Sequence, residues 1–509
     1  MRKLLFLLPL LILFNRTGYA QTKNVPVIII ISDQLRYDAI GKYTPNIDQL
    51  KKDGVSFNRT YCASPICVPS RGAFFTGKYP NNNGSLINGW ETEDMHYRDV
   101  KSGIPNLYQV MAEDWDSWHV GKQHFFTQDK IDKDPNSKTK WITLQTFKQW
   151  DKSKGVKLPG GTEFGTITPE LISDSYTHIK RYTTPKYEVY KPGLKYFHDD
   201  FFANKAVDII KNENSLKPLL LNIMLLSPHP PFDIPEPYFS KYKKEDFSFP
   251  GNIAKWYPGQ SPLQLYNLPG FIGTRYSKED WEEIWPKYYG LVSLMDDEVG
   301  KVITALKSKG IYDKALIIFA ADHGEMLGSH SLWQKMCMYE ESAHVPLIIK
   351  FPADFHPTFK ETNNLVSLID VWPTLIDYLN IKTNDKPDGV SLVPMLKGQD
   401  QGNKKVFIQY DGNGGYGNNQ RCVVDGEYKL IIDTFKGEIF LELYNVIKDP
   451  QETVNLVTDA KFESITKKLT VELKRHMFST NDLLKLPDNM YENFLKYHLG
   501  KNQKSEDGD

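Results

Sequence analysis

The chain has 509 residues, 40% of them hydrophobic and 25% charged, which describes a globular protein too long for one small core and sets two domains as the prior. Its formal charge is −1, so no polybasic field marks a nucleic-acid or anionic-membrane partner, and recognition of an anion has to be local.

Arg2 and Lys3 precede an apolar run from Leu4 to Phe14, followed by small residues at Gly18 and Ala20. This pattern predicts a secretory signal peptide over 1–20. The run is far short of the roughly 20 apolar residues that a spanning helix needs, so no membrane insertion is expected. Export to the periplasm or beyond follows. Next, "VPVIIII" (25–31) reads as a buried strand running into Ser32, Asp33 and Gln34. "CVPSR" (67–71) opens a short helix, with Pro69 suited to its first turn and Gly77 to its end. Cys67 is thereby placed at a helix N-terminus, where free N–H groups favour an anion, and Arg71 adds a planar cation beside it. The spacings of Cys62, Cys67, Cys337 and Cys422 match no zinc pattern and point away from a disulfide framework.

Three further apolar runs end in the same manner. "DSWHV" leads into Gly121, Lys122, Gln123 and His124; "LLLNIMLL" into Ser227, Pro228 and His229; "ALIIFAA" into Asp322 and His323. Apolar β-branched runs alternating with helical patterns predict an α/β fold with a mostly parallel sheet, in which ligands bind at the carboxyl ends of the strands. Asp and Ser also cap helices after strands, which accounts for one such terminus but poorly for four. The aromatic and basic stretches 125–200 and 241–289, the latter with Trp256, Tyr257, Trp281, Trp285, Tyr288 and Tyr289, read as sugar-contacting insertions or as packing over the sheet. "DGNGGYGNNQRC" (411–422) lacks the Lys-Ser/Thr ending of a phosphate loop and reads as a mobile loop. His344 leads the apolar "HVPLI" and reads as a packed histidine. Strands "VFIQY", "RCVVDGEYKLII" and "IFLELYNV" predict a smaller antiparallel sheet after a polar bridge near residue 400, followed by helical spacing over 462–478. The resulting layout is a signal peptide (1–20), a catalytic domain (21–398), a C-terminal α+β subdomain (399–485) and a tail (486–509).

The segments "ISDQLRYDAIG", "TPNIDQLKKDGVSFNRTYCASPICVPSR", "VGKQH", "SPHPPF" and "SLMDDEVGKVITALKSKGIYDKALIIFAADHGEMLGSHSLWQKMCMYEESAHVPLI", in that order, resemble the type I, formylglycine-dependent sulfatases of the alkaline phosphatase superfamily, and "LELYNVIKDPQETVNL" resembles their C-terminal subdomain. The resemblance implies that a maturation enzyme oxidises Cys67 to formylglycine on the unfolded chain. One hydroxyl of the hydrated aldehyde then attacks sulfur and displaces the alcohol, leaving a sulfated hemiacetal, and deprotonation of the other hydroxyl expels sulfate and restores the aldehyde. It implies Asp33, Gln34, Cys67, Asp322 and His323 as ligands of a divalent metal, calcium first; the one nitrogen ligand keeps manganese open, and magnesium is a further alternative. It assigns Arg71, Lys122 and Lys335 to the sulfate, His124 to the base side, and His229 or Lys335 to the acid that protonates the leaving oxygen. Asn88 stands where some branches contact sulfate. The aromatic and basic insertions, together with export, point to sulfated carbohydrate as the substrate. The alternatives are a choline-sulfatase-like small-molecule enzyme, a phosphonate or phosphate ester hydrolase and, least favoured, a glycan-binding pseudo-sulfatase.

Overall fold

The computed structural model describes residues 24–172 and 176–504; the signal peptide reading lies outside them. In chain order the strands are β1 (Val27–Asp33), β2 (Val55–Tyr61), β3 (Asp116–Gly121), β4 (Thr139–Thr143), β5 (Gly165–Ile172), β6 (Tyr176–Thr183), β7 (Tyr187–Val189), β8 (Leu219–Pro228) and β9 (Phe232–Ile234). They continue as β10 (Leu316–Ala321), β11 (His344–Val345), β12 (Leu347–Lys350), β13 (Glu361–Ser367), β14 (Lys405–Tyr410), β15 (Asn419–Asp425), β16 (Tyr428–Phe435) and β17 (Glu438–Asn445).

Among the described residues nine strands form the main sheet, in the order β11-β2-β12-β10-β1-β8-β3-β4, with β13 pairing β2. From β10 to β4 the strands are parallel, and β12 and β11 run antiparallel to their neighbours. The fold is therefore the expected mixed, mostly parallel α/β sheet. Every residue of β1 is buried, as a strand covered on both faces requires, and its unbroken run of isoleucines reflects that. Helices His198–Asn212 and Lys278–Ser308 lie against β8. Among the described residues no helix is long and apolar enough to cross a membrane.

The helix Lys278–Ser308 selects packing over sugar contact for four of the named aromatics. Ser277 caps it by accepting from Asp280 N, and Trp281, Trp285, Tyr288 and Tyr289 are all buried along it. Their spacing of three to four residues is a helix face turned to the core. Only Trp256 and Tyr257 of the named aromatics lie off this helix, with Trp256 exposed.

The second sheet, β14-β15-β16-β17, is antiparallel throughout, and helices Glu463–Ser479 and Met490–Lys504 pack on it. Met490, Tyr491 and Phe494 enter the same apolar cluster as Leu430, Leu441 and Leu473. Residues 486–498 are therefore not a tail: through Met490, Tyr491 and Phe494 they complete the core of the C-terminal sheet. The cluster also takes Leu263, so the 241–289 stretch contributes to it. Gln409 N donates to Ala63 O at 3.0 Å, stitching β14 to the segment just before Cys67.

Candidate active site

The strand order β10-β1-β8-β3 sets four polar termini side by side, neighbouring strands being about 4.8 Å apart. Asp322 and His323 follow β10, Asp33 ends β1, His229 follows β8 and Lys122 follows β3. The pairing of β1 with β8 shifts register between Ser32 and Asp33, so that Asp33 lies opposite Pro228. At Gly121 the backbone takes φ +122°, and a Cβ there would come within 2.0 Å of Met224 O. Only glycine allows the approach by which Lys122 N donates to Met224 O at 2.9 Å.

Cys67 is the first residue of the helix Cys67–Thr76, which Gly77 closes at φ +64°, as its sequence predicts. The thiol is 2% exposed. Its Sγ lies 3.1 Å from His323 Nε2, 3.6 Å from Lys122 Nζ and 3.8 Å from Asp33 Oδ1. Arg71, four residues on and one helical turn away, has Nε 2.9 Å from Asp322 Oδ2 and Nη2 3.2 Å from Asp33 Oδ2. Lys122 pairs with the same Asp33 oxygen. Ser70 Oγ donates to Asp322 O at 2.5 Å, fixing the helix to the end of β10.

The electrostatics follow from this packing. Burial pushes the Asp33 carboxyl up, but Lys122, His229 and Arg71 outweigh it and hold the group well below the usual carboxylate range. Burial and Asp33 push the Cys67 thiol up, yet Lys122, Lys335 and His323 bring it below its ordinary value. His323 is raised, because Asp322 and Cys67 outweigh its burial. Burial and the cations Lys122 and Arg71 hold His124 well below the ordinary imidazole value. His229 is held down by burial, then by Lys335 and Lys122.

The candidate residues divide by position. Ligand atoms of Asp33, Cys67, Asp322 and His323 all lie within 4.8 Å of one another and are buried, and two carboxylates with one imidazole make a donor set that fits a divalent cation. Gln34 sits beside them at φ +67°, its Oε1 accepting from Lys335 Nζ at 2.5 Å. Lys335 Nζ also lies 3.1 Å from His229 Nε2, while His229 Nδ1 lies 2.5 Å from Pro230 O. His124 Nδ1 is buried with no partner among the described residues. Asn88 accepts from Val68 N at 3.0 Å and donates to Asn413 Oδ1 at 2.8 Å, so both ends of its amide are engaged in holding the start of the Cys67 helix. His344 is a packed histidine, between Glu340 at 2.9 Å and Asn58 O at 2.8 Å.

The sequence reading missed three contributors. Asn413 lies in the glycine-rich stretch, which is tied down rather than free: Gly89 N donates to Asn413 O and Trp90 N to Gly414 O, each at 3.0 Å, and Arg421 clamps Asp411 and Asp482. Tyr288, on the long helix, donates to Gln34 O at 2.9 Å. Glu325, three residues after Asp322, accepts from Gln34 Nε2.

Comparison with known proteins matches residues 26–381 to the family model described as Sulfatase, and residues 328–478 to one described as N-sulphoglucosamine sulphohydrolase, C-terminal. Arylsulfatase of Clostridium perfringens (strain 13 / Type A) is 23% identical, over 86% of this chain and 91% of its own length. Among solved structures, the phosphonate monoester hydrolase of Agrobacterium radiobacter aligns with a TM-score of 0.71 at 23% identity, covering 90% of this chain and 96% of that one. A protein solved in complex with its substrate D-glucosamine-2-N,6-O-disulfate aligns with a TM-score of 0.65 at 18% identity, covering 91% and 99%.

Proposed function

We propose that this chain, which belongs to the sulfatase family and is a sulfuric ester hydrolase of the alkaline phosphatase superfamily, acts on sulfate esters of carbohydrate through Cys67 matured to formylglycine. The observation that carries the reading is the convergence on Cys67 Sγ of His323, Lys122 and Asp33 within 3.8 Å. The glucosamine chemistry named for the C-terminal family model and for one structural relative supports the carbohydrate substrate. The apolar run at the N-terminus supports export, and the separation of the nine-stranded sheet from the four-stranded sheet supports a catalytic unit over 21–398 with a C-terminal unit from 399.

Asp33, Gln34, Asp322 and His323, with the matured residue 67, are the groups that would hold a divalent cation, calcium being favoured by the carboxylates. When present, the cation supplies charge stabilisation at a sulfate oxygen and the hydrated aldehyde supplies the attacking oxygen. The chain's own residues do the remainder. Arg71 holds both acids through Nε and Nη2, while its Nη1 is buried without an acceptor among the described residues and is the donor left for a sulfate oxygen. Lys122 and Lys335 add positive charge where the transition state gains negative charge. His229 donates from Nδ1 to Pro230 O, which leaves Nε2 to accept a hydrogen bond from Lys335 Nζ and orient that ammonium, the proton source for the leaving ester oxygen. His124, kept neutral by burial and then by its cationic neighbours, is the base.

Mass spectrometry of the peptide spanning residues 61–78, from protein expressed with a formylglycine-generating enzyme, tests the nucleophile. Sulfate release from sulfated saccharides, choline sulfate and a phosphonate monoester tests the substrate. The reading expects an aldehyde at residue 67 and release from a saccharide. A persistent thiol under competent maturation overturns the mechanism, and exclusive turnover of the choline or phosphonate ester overturns the substrate class.

A further inference from the structure

The loop that follows β10 is folded around the carboxylate of Glu325, a fully buried residue that takes no part in the reaction just described. Its Oε1 accepts from Leu327 N at 2.9 Å and from Gln334 N at 2.7 Å, and its backbone O accepts from Arg36 Nη1 at 3.0 Å. The remaining oxygen, Oε2, accepts from Gln34 Nε2. Three N–H donors thus face the carboxylate, and none of these contacts offers an acceptor for a carboxyl proton.

On its other end the same Gln34 amide accepts, through Oε1, from Lys335 Nζ at 2.5 Å. The two neighbours together decide which end of the amide is oxygen. A carboxylate only accepts and an ammonium only donates, so a flipped amide would set oxygen against oxygen on one side and N–H against N–H on the other. The Gln34 backbone is held as well: its N donates to Asp322 Oδ1 at 3.1 Å and its O accepts from Tyr288 at 2.9 Å. With the backbone and the amide nitrogen fixed, the direction of Oε1 is fixed too.

We propose that Glu325 is a positioning residue for the cation site: it pins the nitrogen of the Gln34 amide so that Gln34 presents oxygen, and never N–H, beside Asp33, Asp322 and His323. The inference rests on the cation site described above. A carboxamide is an ambivalent neighbour for a cation, since one rotation replaces an oxygen lone pair by a positive N–H edge. An anion on the nitrogen side removes that ambivalence and makes the oxygen a better donor. The amides of Leu327 and Gln334 show the same carboxylate shaping the loop that carries Lys335.

The test is calcium and manganese affinity, titrated calorimetrically on the folded full-length protein, with thermal melting to confirm folding. E325Q offers an N–H where the wild type offers only acceptors, freeing the Gln34 amide to turn, and is expected to weaken cation binding about 10- to 100-fold. On a Gln34→Ala background the same E325Q change is expected to cost nothing more. Equal affinity of E325Q and wild type overturns the inference, and so does an undiminished loss on the Gln34→Ala background, which would make the role merely structural. Should E325Q not fold, Glu325→Asp serves: its carboxylate is one methylene shorter, releases the Gln34 nitrogen and is expected to weaken cation binding at least about tenfold, and unchanged binding overturns the inference. A wild-type protein that binds neither cation fails differently, by removing the site itself.

Discussion

Two groups of buried acids in this molecule are solved in opposite ways. At the ends of β1 and β10, Asp33 and Asp322 sit against Arg71, with Lys122 also on Asp33, and Asp33 is held well below the usual carboxylate range despite its burial. On β16 and β17, Asp433 and Glu442 are as deeply buried but are met mainly by hydroxyls. Ser261 Oγ donates to Asp433 at 2.7 Å, and Tyr339 and Tyr444 donate to Glu442 at 2.7 and 3.0 Å. Burial pushes both of these carboxyls up to about 7. The first group stores negative charge against fixed cations, as a site for an electrophile and an anionic ester must; the second stores protons, as a structural core prefers.

The comparison is broken most severely at its catalytic end. Cys67→Ala is expected to lower sulfate release by ~10⁴-fold or more while the melting temperature stays near that of wild type, since the side chain is small. Unfolding of this variant would mean that Cys67 is needed for packing. Arg71→Met leaves two buried carboxylates short of their partner and is expected to cost about 3–5 kcal/mol of stability in urea melts; an unchanged midpoint would show that Lys122 alone balances the site. The mildest change sharpens the other side. Asp433 has a folded pKa near 7 against an ordinary value of about 4, so between these pH values the folded chain keeps a proton that the unfolded chain has lost. Its contribution to stability therefore falls as pH rises from about 4 to about 7. Asp433→Asn is expected to be near neutral at pH 5 and stabilising by on the order of 2 kcal/mol at pH 8, and an equal effect at both pH values would refute the assignment.

Much of this was legible in the chain itself. A run such as "VPVIIII" can only be a strand buried on both faces, and the abrupt polar residue at its end marks the sheet edge where chemistry collects. Sequence does not reveal that β1 lies between β10 and β8, because those neighbours come from residues 316 and 219 and nothing local encodes the pairing. The aromatics of 281–289 were ambiguous because a sugar platform and a core face use the same side chains; their helical spacing was the signal that distinguished them. Glycine-rich 411–417 suggested freedom, yet Asp411, Asn413 and Gly414 are each held by partners more than 300 residues away or by Arg421. Glu325 was visible only as the last letter of "DHGE", and its role depends on a glutamine 291 residues earlier.

The depth of Cys67 sets a clock. Cys67 is 2% exposed and the shortest of its polar contacts is to His323, which leaves the ribosome about 250 residues after it, or roughly 10–50 s at ordinary synthesis rates. Until β10 exists, the strand that flanks β1 on one side and delivers His323 is missing. On the maturation proposed above, the modification of residue 67 has to precede the docking of β10, and slowing synthesis between residues 67 and 323 is expected to raise the matured fraction.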